Sequence, residues 1–206
     1  MSLWVKLCGV RSEADVAAAV AAGADAVGMV MTPSVRQIDI DTARRLVAEA
    51  EDQLTTVAVF YRPDRDLVES VRDQVPFDVF QAEPETLEGI SGIQTLPVVH
   101  DRTDLASAVR RLTTSLGSRR ILVESAGRGG TGLSPDWGRV ATIGRLDNVV
   151  IAGGLTSENV SAAVAHLGPA GVDVSSGVES EPGVKDHELM ARFVEAAREA
   201  VREGVS

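Results

Sequence analysis

The densest group of chemistry-bearing positions lies in residues 148–186, NVVIAGGLTSENVSAAVAHLGPAGVDVSSGVESEPGVKD. Two short apolar runs there, 149–152 and 172–174, each end in a turn of small residues, Gly153-Gly154 and Ser175-Ser176-Gly177. Small side chains let backbone N–H groups close on an anion. Thr156 stands where it would cap a helix over residues 157–166, whose positive amino end would add to that attraction. One Gly-Gly alone reads as a tight strand-to-helix turn. Two such turns in tandem predict a divided phosphate cup made of Gly153, Gly154, Ser175, Ser176 and Gly177.

Further candidates stand where other apolar runs end. Cys8 closes the first run. A lone cysteine is commonly a small core hydrophobe, but Gly9 opens the backbone beside it, which favours a nucleophile or base. Arg36 sits in the loop MTPSVRQID, either as a solvated charge or as a fork for a carboxylate or phosphate. Gln81 ends another run and is followed by Glu83. Glu124 ends the run before GRGGTG, and Ser125 would take its place if the register slipped by one. Asp173 lies inside an apolar run, where a carboxylate must be hydrogen-bonded or functional.

These positions must be held by an alternating series. Strand-like runs at 3–8, 24–30, 55–60, 77–81, 93–99, 120–124, 149–152 and 172–174 each precede a helical pattern. The helices are read at 13–22, 42–51, 64–74, 85–88, 105–116, 135–142, 157–166 and 186–202. Gly23 stops the first helix and Asp64 caps the third. The strands are near-continuous apolar runs, as in a parallel sheet buried on both faces. Eight βα units in 206 residues favour closure into a (β/α)8 barrel over an open doubly wound sheet. A single domain over 1–206 is expected, with functional residues at the C-terminal ends of the strands.

Composition narrows the classes. A net charge of −10 disfavours a nucleic-acid partner. No apolar run approaches the about 20 residues that span a bilayer, and the N-terminus lacks a signal-peptide pattern, so no membrane role is expected. One cysteine excludes an internal disulfide framework, fits a cytoplasmic setting, and with scattered histidines offers no zinc-type ligand spacing. The basic residues are almost all arginine, the lysines being Lys6 and Lys185 alone. Codon bias and an acid-rich surface suited to high salt would each produce that pattern. Both lysines stand out because arginine has not replaced them.

The motifs KLCGV, SVRQI, GGTG, AGGLTSENV and GVDVSSGVES-PGVKD, in this order over nearly the whole chain, resemble those of the phosphoribosylanthranilate isomerase family. The resemblance implies a (β/α)8 barrel and an Amadori rearrangement in tryptophan biosynthesis, with a phosphorylated small-molecule substrate and no metal or cofactor. It implies Cys8 as general base, Arg36 beside the anthranilate part, Gln81 and Asp173 at the substrate, and the glycine–serine cup at the phosphate. The family usually ends strand six with Asp, so Glu124 is the implied acid, one methylene longer. Where the family often reads Gln-Leu-His-Gly after strand four, this chain has Gln81-Ala82-Glu83-Pro84. A monomer is expected, with a homodimer as the alternative. Another phosphate-binding barrel enzyme and a non-catalytic relative lacking the acid remain competing readings.

Overall fold

The computed structural model describes residues 3–115, 120–125 and 136–203. The glycine-rich loop at 127–132 and the start of the helix expected from 135 lie outside them. The chain runs β1 (Trp4–Cys8), α1 (Glu13–Ala22), β2 (Ala26–Val30), α2 (Ile40–Ala50), β3 (Thr55–Val59), α3 (Arg65–Gln74), β4 (Val79–Ala82) and α4 (Pro84–Leu87). It continues through β5 (Gln94–His100), α5 (Leu105–Ser115), β6 (Ile121–Glu124), α6 (Trp137–Ala141), β7 (Val149–Ala152), α7 (Val160–Leu167) and β8 (Gly171–Val174) to α8 (His187–Glu203). Strands β1 to β8 form a closed barrel in chain order, every pair parallel, with β8 pairing back to β1. The expected (β/α)8 architecture is the observed one.

Local chemistry sets most helix starts. Ser12 and Asp15 form a reciprocal capping box on α1, and Gly23 ends that helix at φ 76°, a left-handed conformation that suits glycine. Asp39, Asp64 and Asp136 each accept a backbone N–H in the first turn of α2, α3 and α6. Alternation along the strands then divides the apolar residues into two layers. One set, including Val5, Leu7, Met29 and Phe193, packs between barrel and helices. A smaller set, Leu96, Val98, Leu122, Val150 and Ala152, fills the barrel interior.

Three expectations are corrected. The helix after β7 starts at Val160, not at 157. The Asn159 side chain folds back to accept from Thr156 N at 2.8 Å and donate to the Gly154 carbonyl, and Thr156 Oγ1 accepts from Glu158 N at 3.3 Å. Thr156 therefore shapes a preceding turn and does not cap the helix. The expected helix at 42–51 begins earlier, at Ile40, because Asp39 is the better-placed cap. Between β8 and α8 stands a short antiparallel hairpin, β9 (Glu179–Glu181) and β10 (Val184–Lys185), that the alternation did not reveal. It is too short and too polar to produce a strand pattern.

Candidate active site

All the expected site residues line one pocket at the C-terminal end of the barrel: Cys8, Arg36, Gln81, Glu124, Asp173, and the five residues Gly153, Gly154, Ser175, Ser176 and Gly177. Ser125 is not among the lining residues, so the register at the end of β6 presents Glu124. Val30, Val59, Phe60 and Tyr61 form an apolar wall on the β2–β3 side.

The floor is a buried ion pair. Lys6 and Cys8 share the inward face of β1, and Lys6 is paired in register with Asp173 on β8. Lys6 Nζ lies 2.9 Å from Asp173 Oδ1, with the lysine side chain fully buried and the aspartate 8% exposed. Gly28, in register beside Cys8, leaves room for both side chains. A Cβ there would come within 3.0 Å of Cys8 Sγ and of Lys6 Nζ. Burial pushes the Cys8 thiol above its ordinary value, against the opposing pull of Lys6. Burial alone would lower Lys6, but Asp173 and Cys8 outweigh it and hold the amine charged. Asp173 thus has its expected hydrogen-bond partner, and Lys6 is a site residue that sequence reasoning undervalued. Its only signal was lysine in an arginine-rich chain.

Burial also pushes Glu124 up to about 7, against the pull of His100. A carboxyl with that value still carries its proton part of the time near neutral pH, as a general acid needs. His100 is opposite Glu124 in the β5–β6 register, with Nδ1 3.3 Å from Glu124 Oε1 and Nε2 3.7 Å from Glu83 Oε1. Sequence reasoning ended strand five at residue 99, one position before this histidine.

The two turns of small residues are locked together. A Cβ on Gly177 would lie 1.9 Å from the Leu155 carbonyl oxygen, so the turn after β8 packs on the loop after β7 as only glycine allows. Gly153 and Gly154 both take positive φ, 98° and 60°. Ser175 Oγ is buried without a hydrogen-bond partner among the described residues, and so is Gln81 Oε1. Buried polar atoms left open around a pocket are suited to a ligand. Because α7 begins at Val160, the cup rests on these turns more than on the amino end of that helix, whose field fades within one turn.

Arg36 is held, not solvated. Its Nε and Nη2 reach Glu179 Oε1 and Oε2, each at 2.7 Å, and Ser34 Oγ accepts from its backbone N–H. Lys185 Nζ donates to Glu179 Oε1 at 2.8 Å and to the Ser175 carbonyl at 2.9 Å. Burial alone would raise Glu179, yet hydrogen bonds from Arg36 and Lys185 outweigh it and hold the carboxylate ionised. Burial lowers Lys185 against the pull of Glu179. The β9–β10 hairpin thereby joins the Arg36 side of the pocket to the turn after β8 through one acid. Glu179 carried no sequence signal, because its role depends on partners 143 and 6 residues away in the chain.

The model of the family described as N-(5'-phosphoribosyl)anthranilate (PRA) isomerase matches residues 5–196. The N-(5'-phosphoribosyl)anthranilate isomerase of Haloferax volcanii is 41% identical over 210 residues, covering 95% of this chain and 93% of that protein. The crystal structure of phosphoribosyl anthranilate isomerase from Thermotoga maritima superposes with a TM-score of 0.80 at 32% identity, over 96% of this chain and 99% of that one. A structure of the isomerase in complex with reduced 1-(o-carboxyphenylamino)-1-deoxyribulose 5-phosphate gives a TM-score of 0.79 at 30% identity, over 96% and 99% of the two chains. The closed barrel, the family model over residues 5–196 and the similarity to named relatives agree, and this chain belongs to the N-(5'-phosphoribosyl)anthranilate isomerase family.

Proposed function

We propose that Cys8 and Glu124 are the base and the acid with which this isomerase converts N-(5'-phosphoribosyl)anthranilate into 1-(2-carboxyphenylamino)-1-deoxyribulose 5-phosphate in L-tryptophan biosynthesis. Glu124 gives its proton to the ribose ring oxygen as the C1'–O bond breaks and the nitrogen lone pair forms the C1'=N Schiff base. The Cys8 thiolate then takes the C2' proton, leaving an enolamine. C1' gains a proton and the C2' hydroxyl loses one as the ketone forms, so acid and base are restored with no net change. Lys6 and the cationic Schiff base favour the thiolate that burial disfavours.

The observation that carries this reading is that Cys8 from β1 and Glu124 from β6 line the same pocket, and that each feels the charges of the Lys6–Asp173 pair. The phosphate is assigned to the Gly153-Gly154 and Ser175–Gly177 turns, where Ser175 Oγ awaits a partner. The anthranilate ring is assigned to the wall of Phe60 and Tyr61, its carboxylate to Arg36 in competition with Glu179, and Gln81 and Asp173 to the sugar hydroxyls. A non-catalytic relative without an acid is not supported, since Glu124 faces the pocket. The single cysteine supports a reducing, cytoplasmic setting. Among the described residues Val35 and Val184 are the exposed large hydrophobics, which supports a monomer. Loss of phosphoribosylanthranilate fluorescence tests the assignment: Glu124→Gln should be nearly inactive, whereas Glu124→Asp retains turnover. An active Glu124→Gln enzyme would remove Glu124 as the acid.

A further inference from the structure

We infer that His100 is a positioning residue for Glu124: held between two carboxylates at the mouth of the barrel, it fixes the acid's orientation and keeps its proton labile. The inference rests on Glu124 being the acid. The register makes His100 and Glu124 direct neighbours on β5 and β6, both on the inward face. The imidazole nitrogens lie 3.3 Å from Glu124 Oε1 and 3.7 Å from Glu83 Oε1, and both are buried without an aligned hydrogen bond among the described residues. The Tyr61 ring meets the imidazole edge-on, centroids 6.3 Å apart at 79°, and limits its rotation. A partly buried imidazole with a carboxylate beside each nitrogen is stabilised as the cation.

Among the described residues the charged neighbours are few. Glu83 from the loop after β4 and Glu124 from β6 face His100, while His100, Asp173, Lys6 and Glu83 face Glu124. The Glu83 carboxylate beside Nε2 raises His100 against burial, with Glu124 adding to the rise. Of the groups that lower Glu124, His100 acts more strongly than Lys6. Without the imidazolium the carboxyl would hold its proton more tightly, and nothing on β5 would limit its swing.

His100→Gln keeps polar atoms near the same place and removes the titration. Its kcat should fall with KM little changed, and the rising limb of its kcat/KM profile should move up by about one pH unit, the smallest shift expected when an adjacent opposite charge is removed. A second measurement needs no turnover. The chain has 3 histidines, so imidazole resonances can be assigned by single substitutions and followed with pH. The His100 resonance should show a second inflection from Glu124 that disappears in Glu124→Gln. An unmoved limb in His100→Gln, or a His100 titration identical in the wild type and Glu124→Gln, would overturn the inference. A Glu124→Gln enzyme with full activity that still removes the inflection would leave the coupling intact and refute the acid assignment instead.

Discussion

Replacing Glu124 by Gln should change the shape of the pH profile of kcat/KM as well as its height. On the proposed assignment, the reaction needs the proton on Glu124 and the charge on Cys8. The free enzyme prefers the opposite arrangement, because Glu124 sits at about 7 and burial holds the thiol above its ordinary value. The dominant one-proton form therefore carries that proton on sulfur. With an ordinary thiol near 8.5, the productive form is at most about one-thirtieth as populated as that dominant form. Below about 7 both groups are protonated, so kcat/KM should climb about tenfold per pH unit as Glu124 and His100 titrate together. It should then level off and fall above the thiol's pKa, where the proton shared by the pair is lost. In Glu124→Gln only the thiolate matters. Height should drop about 10²–10⁴-fold, and the rising limb should move from near 7 to the thiol's pKa with no fall beyond it. The assay is initial-rate fluorescence from mildly acidic to strongly alkaline buffers, with stability checked at each pH. A Glu124→Gln profile that keeps its rising limb near 7 would refute the reasoning, since another group would then own that limb.

Cys8→Ser should bind product with unchanged affinity, measured by calorimetry, and lose about 10²–10⁴-fold in turnover; near-normal turnover would remove Cys8 from the mechanism. Gly154→Val places a side chain at a positive-φ turn of the phosphate cup, so it should raise the dissociation constant for product while circular dichroism stays native. Sulfate should compete with substrate in the wild type, and a crystal showing the anion elsewhere would defeat the cup. Glu179→Gln leaves Arg36 and Lys185 without their shared charge, so it should cost about 3 kcal/mol, read as a drop in Tm of about 6–12 °C together with a higher KM. An unchanged Tm would mean that the hairpin is not held by this cluster. Sedimentation at micromolar concentration should return one monomeric species.

The barrel was legible because its signal is local and repeated. Apolar runs of strand length, capping residues such as Ser12, Asp39 and Asp64, and a left-handed Gly23 each act within a few residues, and all describe the same βα unit. The tight turns after β7 and β8 were legible for a related reason: only small residues fit at Gly153, Gly154 and Gly177, and that steric demand is written in the residue type. Cys8, Glu124 and Asp173 could be placed because strand ends in such a barrel face one mouth. What the chain could not reveal by itself is which charges meet. Lys6 with Asp173, Arg36 on Glu179, and His100 between Glu83 and Glu124 are pairings across strands or loops well separated in sequence, and Lys185 meets Glu179 only through a hairpin that left no strand pattern. Their pKa values depend on burial and on distances of a few ångströms, which exist only once the barrel closes. The order in which the buried groups titrate is therefore a property of the tertiary structure, although the residues that line the pocket could be named before it.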